Sequence, residues 1–225
     1  MHARHLTCGV VGLTLAFVPA AMAQNGNNKP PKGSAITLAA DPTAIVFSGA
    51  ATLSGRVSGP SASGVTIRLE EDTTSPYGDS YKPSTATAKT DNGGKYSLAV
   101  RPLLNTWYRA VAQTSPSVTS APKLVMVRMR VGIKLSDPTP ARGTRVTFSG
   151  SVYPAHDGRS ALIQKRSTTG RYVTIARTTL RDAGDVRSSY SRRVLVRDGV
   201  YRVKVTGDAD HINGFSRART INVAS

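Results

Sequence analysis

The chain has 225 residues, a formal net charge of +17 and a single cysteine, Cys8. One cysteine can form no internal disulfide, and a chain of this length favours two small domains over one. Plentiful Val, Thr, Ser and Gly with few aromatic residues favour strands and turns over helices.

Residues 1–23 have the pattern of a secretory signal peptide. A weakly basic start precedes an apolar run over residues 10–18 and an Ala-x-Ala cleavage site at residues 21–23. The run is shorter than the roughly 20 residues that a membrane-spanning helix needs. We therefore expect an exported protein, secreted or held at the cell envelope, with no transmembrane segment after cleavage. Residues 24–34 are polar, contain Pro and Gly, and are predicted to be a flexible leader.

After the leader the sequence repeats with a period of about 95 residues. Six short motifs recur in the same order: residues 36–42 with 133–138, 54–57 with 149–152, 65–69 with 161–165, 91–93 with 182–184, 108–111 with 201–204, and 125–127 with 221–223. Within each repeat apolar residues alternate with polar ones, as at Val65, Ile67 and Leu69, which is typical of strands with one buried face. About seven such strands per repeat predict an all-β chain of two tandem immunoglobulin-like β-sandwich domains, residues 35–130 and 131–225.

Three motifs carry a resemblance to a known family. They are the Ser-Gly-x-Val strand at residues 54–57 and 149–152, the Asp-x-Gly turn before a Tyr-Ser strand, and the strand that begins with Tyr-Arg. On these residues each repeat resembles the immunoglobulin-like or fibronectin type III-like modules of secreted bacterial proteins. The resemblance implies a tandem of β-sandwich modules over nearly the whole mature chain and implies little about function. Arg192 departs from it, since it stands where the first repeat has Leu98 on the core-facing side.

The junction between the repeats is predicted to be continuous strand. Val125, Val127, Met129, Val131, Ile133 and Leu135 alternate in one phase through the boundary, and no run of Pro or Ser interrupts them. Gly132 is the one soft point. We therefore expect a stiff tandem, in which the last strand of the first domain leads directly into the second domain.

Candidates for chemistry are few. After the predicted signal the chain has two histidines, His156 and His211, and it has no Gly-x-Ser-x-Gly motif. Zinc sites need several His or Cys ligands at set spacings, and the loop at residues 208–214 lacks the spacing and the closing Glu of a calcium loop. We therefore expect no catalytic residues, no metal site and no cofactor, and we interpret that loop as a polar connection between strands. A small secreted hydrolase is kept as a distant alternative.

Trp107 and Arg109 are the first candidate binding residues. They alternate with Tyr108, which is expected in the core, so an outward Trp beside an Arg can stack on a sugar ring or pack against a partner. The alternative is that Trp107 covers the edge of its sheet. Tyr108 and Tyr201 begin their strands, and each is predicted to make a tyrosine-corner hydrogen bond.

Positive charge is concentrated in the second repeat. Residues 35–129 contain nine basic and six acidic residues, whereas residues 130–225 contain eighteen and seven. The candidate binding residues of this repeat are Arg171, Arg177, Arg193, Arg202 and Lys204, which form a basic platform if their strands share a face. A platform of this kind attracts anionic polymers or glycans, whereas sparse aromatic residues make single-stranded nucleic acid a poor fit. The alternative is that these cations are solvated strand faces.

Together these observations favour an exported, non-catalytic protein that binds or acts as a spacer at the cell envelope or outside the cell. The basic second domain is expected to bind an anionic envelope polymer or glycan. The alternative is an accessory or inhibitory protein that binds another protein through sheet edges or end loops. We expect a monomer.

Overall fold

The computed structural model describes residues 33–224, which form strands, turns and loops without a helix. The predicted all-β class is therefore confirmed. The predicted signal peptide, and the predicted leader up to residue 32, lie outside the described residues. Within the described part of the chain no helix could cross a membrane.

Ten strands build the first half of the described chain. They are β1 Ala35–Ile36, β2 Ala39–Asp41, β3 Ala44–Val46, β4 Ala51–Ser58, β5 Thr66–Asp72, β6 Lys82–Lys89, β7 Lys95–Val100, β8 Thr106–Ala112, β9 Val118–Thr119 and β10 Lys123–Val131. Strand β4 pairs with β1, β2 and β7 to form one sheet. A second ladder joins β6, β5, β8 and the start of β10, and β9 adds to β8.

Nine strands follow in the second half. They are β11 Lys134–Leu135, β12 Arg145–Tyr153, β13 Ser160–Arg166, β14 Tyr172–Thr179, β15 Arg181–Asp182, β16 Ser188–Leu195, β17 Gly199–Val205, β18 Ile212–Phe215 and β19 Arg219–Ile221. One ladder runs in the order β14, β13, β17, β18, with β19 also on β17. The other runs through β11, β12, β16 and β15.

Two hydrophobic clusters lie between these layers, which makes the fold β-sandwich-like. Among the fully buried side chains are Leu53, Ile67 and Leu69 in the first cluster, and Phe148, Ile163 and Tyr201 in the second. The first cluster ends at Val127 and the second begins at Met129. Burial of one such side chain contributes about 1.5–3 kcal/mol, so each half is stabilised chiefly by its own interior.

Strand β10 belongs to both halves. Its start pairs with β8, its middle pairs with β3 in parallel, and its end pairs with β18 in parallel and with β12. Val125, Val127 and Met129 on this strand are completely buried. The predicted strand through the junction is therefore confirmed as far as Val131; it is interrupted at Gly132 and Ile133, and β11 begins at Lys134.

The recurring Ser-Gly-x-Val motif places a glycine under a tyrosine in both halves. Tyr96 donates a hydrogen bond to the Thr37 carbonyl, and Tyr190 donates one of 2.7 Å to the Gly132 carbonyl. A Cβ atom on Gly55 would overlap the first carbonyl, and one on Gly150 would overlap the second. Close approach of backbone to backbone at this point therefore requires glycine.

Two further expectations concern the tyrosines that begin β8 and β17 and the register of Arg192. The Tyr201 hydroxyl donates to the Arg197 carbonyl at 2.6 Å and accepts from the Arg197 N–H, so its predicted tyrosine corner is confirmed. Tyr108 is buried, but it makes no equivalent bond to the backbone within the described residues. Arg192 keeps the register of its strand opposite Phe148, and its side chain is exposed.

Candidate functional site

Trp107 and Arg109 lie at alternate positions of β8, on the side away from the core. Trp107 is half-buried and lines a cavity of about 410 Å³ together with Tyr77, Tyr81 and Arg109. The Arg109 side chain forms an ion pair with Glu70, and its guanidinium carbon lies 4.2 Å from the centre of the Tyr81 ring. The charge of Arg109 is therefore neutralised within the protein, and the aromatic rings dominate this cavity.

A buried carboxylate holds the loop that carries these tyrosines. Asp72 is fully buried and accepts hydrogen bonds from the backbone N–H groups of Gly78, at 2.6 Å, and Thr74, at 3.0 Å. These bonds, led by that from Gly78, lower the pKa of the Asp72 carboxyl below its usual value. The Asp72 carboxylate thus positions one wall of the cavity.

The structure brings three of the predicted cations of the second half together. Lys204 on β17 and Arg177 on β14 both lie opposite Leu162 of β13, and Arg202 lies opposite Gln164 two residues further along β13. Side chains two residues apart on a strand share a face, and this face is the one away from the core. The predicted platform therefore includes Arg177, Arg202 and Lys204.

The remaining two predicted cations lie elsewhere. Arg171 lies in the loop that joins β13 to β14, immediately before Tyr172. Arg193 lies on β16, opposite Thr147 of β12, and thus in the other sheet. Alternation along a strand could not assign these residues to a sheet, because both sheets of a sandwich have an outer face.

Sequence reasoning missed two cations and three aromatic rings on this surface. Arg128 and Arg130 occupy outer positions of β10 beside β18. The guanidinium carbon of Arg202 lies 3.9 Å from the Tyr172 ring centre and 4.5 Å from that of Phe215. Arg130 stacks on Tyr153 at 4.3 Å, and Arg128 and Lys204 approach Phe215 to 5.9 and 6.0 Å. We call the set Arg128, Arg130, Arg177, Arg202 and Lys204 the basic face.

No acidic residue lies on the strands that build the basic face. Strands β10, β13, β14, β17 and β18 contain neither Asp nor Glu. Among the described residues no carboxylate lies within ion-pair distance of any of its five cations. Like charges close together and without counterions create a positive potential, which attracts anions.

A second constellation brings the two histidines together with an aspartate. His156 follows β12, whereas Asp208 and His211 lie between β17 and β18. The His156 Nε2 is 3.1 Å from Asp208 Oδ2, and the His211 Nδ1 is 3.8 Å from Asp208 Oδ1. Arg159 approaches Asp208 Oδ2 to 3.3 Å. We call His156, Asp208 and His211 the histidine cluster.

The pKa values of His211 and Asp208 are both lowered in the folded protein. Burial lowers the pKa of His211, which favours its neutral imidazole at pH 7. Burial tends to raise the pKa of Asp208, but the His211 backbone N–H and the neighbouring His156 and Arg159 outweigh it, so the pKa is lowered. Asp208 is therefore an anion in a partly buried place.

The loop that carries Asp208 and His211 is also bonded to the first half. Its Ala209 carbonyl accepts hydrogen bonds from the Tyr77 hydroxyl and the Asn105 side-chain amide, each at 2.9 Å. The Asn105 N–H donates to the Asp210 carbonyl at 2.7 Å. The loop that was interpreted as a polar connection thus ties the halves together beside the histidine cluster.

Comparison with known proteins assigns the chain to no family. No protein-family model matches the chain, and no curated protein matches its sequence significantly.

Proposed function

We propose that this is an exported, non-catalytic protein that binds an anionic polymer or glycan at the cell envelope or outside the cell through its basic face. The observation that carries the proposal is the absence of any carboxylate partner, among the described residues, for the five cations of that face. The apolar run and cleavage pattern at the start of the chain support export.

The chemistry of the basic face suits phosphate and carboxylate groups. Arginine presents a planar fork of donors that binds either anion through two parallel hydrogen bonds. The Arg202 guanidinium stacks on Tyr172 and donates to the Gln164 side-chain oxygen at 2.9 Å, so its position is set before a ligand arrives. A side chain held in place in this way loses less conformational entropy when it binds.

The aromatic cavity supports a glycan as the ligand class. Trp107, Tyr77 and Tyr81 line it, and the Tyr81 hydroxyl is buried without a hydrogen-bond partner among the described residues. Aromatic rings provide flat apolar surfaces for the apolar faces of sugar rings, and polar tips for their hydroxyls. An anionic glycan could therefore use both surfaces, whereas a phosphate polymer would use the basic face alone.

The proposal is tested by binding to immobilised polyphosphate, to polygalacturonate, and to neutral dextran over a range of salt concentrations. The face variant combines Arg128→Gln, Arg130→Gln, Arg202→Gln and Lys204→Gln. The matched control removes the same number of charges around the other sheet, with Arg181→Gln, Arg187→Gln, Arg192→Gln and Arg193→Gln. We expect the apparent Kd for an anionic polymer to rise on the order of 100-fold in the face variant, and the salt dependence to flatten.

The control variant should retain most of the binding, because net charge falls equally while the basic face stays intact. Equal losses in both variants would indicate attraction by net charge alone and would contradict the proposal. Retention on dextran as strong as on the anionic polymers would contradict it too. Binding only to a protein partner would favour the accessory or inhibitory role.

A further inference from the structure

The histidine cluster has the donor set of a zinc site. We propose that His156, Asp208 and His211 bind one Zn²⁺ ion, as three protein ligands with a fourth position left for water or another ligand. This inference is independent of the proposed polymer binding, because none of the three residues belongs to the basic face.

Backbone carbonyls determine which ring nitrogens carry protons. The His211 Nε2 lies 2.8 Å from the Leu103 carbonyl, and the His156 Nδ1 lies 3.0 Å from the Pro154 carbonyl. A carbonyl oxygen only accepts, so each of these nitrogens is the N–H of its ring. Metal-bound histidines usually donate their second ring nitrogen in this way, which orients the ring and raises its basicity.

The second ring nitrogen of each histidine points toward the same carboxylate. The His156 Nε2 is within hydrogen-bond distance of Asp208 Oδ2, so it holds a proton there that Zn²⁺ would displace. The His211 side chain is only 8% exposed, and its Nδ1 has no hydrogen-bond partner among the described residues. At 3.8 Å from Asp208 Oδ1 it is too distant for a hydrogen bond. The lone pair of the His211 Nδ1 therefore faces the Asp208 anion with no proton between them, and a cation at that point would replace the repulsion by attraction.

The spacing of the donor atoms fits a zinc ion after small movements. One donor atom from each of the three residues can be chosen so that all lie within 4.8 Å of one another. Bonds of about 2.0–2.2 Å in a tetrahedron separate ligand atoms by about 3.3–3.5 Å. The His156 Nε2 to Asp208 Oδ2 distance is 3.1 Å, close to that value. Asp208 Oδ1 is already fixed by the N–H groups of Asp210 and His211, which leaves Oδ2 as the ligand.

Arg159 is the group that a zinc ion would compete with. It lies 3.3 Å from Asp208 Oδ2, its side chain is 40% exposed, and it also donates to the Gly207 carbonyl. The guanidinium can therefore keep one bond when a metal takes the carboxylate oxygen. Its charge still opposes the ion, so removal of that charge should strengthen metal binding.

Zinc in this position would stabilise the contact between the halves. It would link the loop after β12 to the β17–β18 loop, which already bonds to Asn105 and Tyr77 of the first half. The His156 loop is itself anchored, because the His156 N–H donates to the Ser188 hydroxyl at 2.6 Å. Both loops that supply ligands are thus held in place by hydrogen bonds within the protein, as expected of a structural metal site.

The test is calorimetric titration of chelator-stripped protein with ZnCl₂, supported by Co²⁺ absorption spectra and by melting temperatures with Zn²⁺ or Mg²⁺. We expect one Zn²⁺ per chain, a tetrahedral Co²⁺ spectrum, and a rise in Tm with Zn²⁺ only. His211→Gln should weaken zinc binding by about 100-fold or more, since one ligand is lost. Asp210→Asn removes an exposed charge from the same loop but no ligand, so it should weaken zinc binding far less than His211→Gln does.

Arg159→Gln gives a test that does not depend on the folding of a ligand variant. It should tighten zinc binding by about tenfold, because it removes a positive charge close to the ion. The proposal is overturned if the unmodified protein shows no saturable zinc binding. It is equally overturned if His211→Gln binds as tightly as the unmodified protein, or if Arg159→Gln fails to strengthen binding.

Discussion

The two halves of the described chain share a backbone plan and differ in charge: residues 35–129 contain nine basic and six acidic residues, and residues 130–225 contain eighteen and seven. In the first half Arg109 forms an ion pair with Glu70 and stacks on Tyr81. The basic face, which the second half forms together with the shared strand β10, has cations stacked on aromatic rings, without a carboxylate within ion-pair distance among the described residues. The interior of a sandwich constrains the inward positions of each strand, so the outer positions can differ and carry separate functions.

The two halves have structural features in common, and two segments of the chain join them. Each half has its own core, and each places a glycine beneath a tyrosine where two strands approach closely. Strand β10 and the β17–β18 loop connect the halves physically. The first prediction concerns the coupling of the two halves during unfolding. The second concerns the glycine beneath the tyrosine in each half, and the third concerns the buried carboxylate of Asp72.

The largest effect is expected from removal of a fully buried side chain in the second half. Phe148→Ala should lower the free energy of unfolding by about 3–5 kcal/mol, because it removes apolar contacts and leaves a cavity. Trp107, the single tryptophan, reports on the first half by its fluorescence during urea unfolding. Because β10 is shared, we expect the tryptophan transition to move to lower urea together with the circular dichroism signal.

Leu53→Ala in the first core is the matched variant, and its expected cost is about 2–5 kcal/mol. A tryptophan transition that stays in place in Phe148→Ala while the second half unfolds early would contradict coupling through β10.

The glycines beneath the tyrosines should give the next largest effect. Gly55→Ala and Gly150→Ala should each cost about 3 kcal/mol, because the added methyl group overlaps a carbonyl and disturbs the tyrosine hydrogen bond. Gly132→Ala is the control, since its Cβ would meet only ordinary contacts. Thermal and urea unfolding measure all three. A large loss of unfolding free energy in one half and none in the other would show that the glycine does not have the same structural role in both halves.

The smallest effect concerns the buried carboxylate of the first half. The pKa of Asp72 is lowered in the folded protein, so its contribution to stability is present above its unfolded pKa near 3.8 and is lost as the pH falls below that value. Asp72→Asn should therefore flatten the fall in Tm between pH 5 and pH 2. Asp79→Asn, at an exposed position of the same loop, should leave that fall unchanged. An unaltered slope in Asp72→Asn would contradict this role.

Alternation of apolar residues was sufficient to predict the strands and the continuation of β10 through the junction as far as Val131. The reason is physical: a strand with one buried face must repeat every two residues, and β10 does so across both cores. The same rule could not assign Arg193 and Arg202 to different sheets, because both lie at outward positions. Arg128 and Arg130 could have been found by extending the alternation of Val125 and Val127 to the opposite side of the strand.

The histidine cluster could not be predicted from local pattern. His156 and the loop of His211 lie far apart in the sequence, and they meet only because the turns after β12 and β17 reach the same end of the second half. Spacing rules for metal sites apply to ligands on one element, and here the ligands come from two loops. The tautomers depend on carbonyls of Leu103 and Pro154, whose positions follow from the tertiary structure.

The most direct test of the central claim is arginine footprinting with phenylglyoxal and mass spectrometry, with and without a saturating anionic polymer. The basic face predicts that Arg128, Arg130, Arg177 and Arg202 become protected together. Arg181, Arg192 and Arg193 on the other sheet should react at unchanged rates. Protection spread evenly over both sheets, or confined to the second set, would contradict the proposal that the basic face binds the polymer.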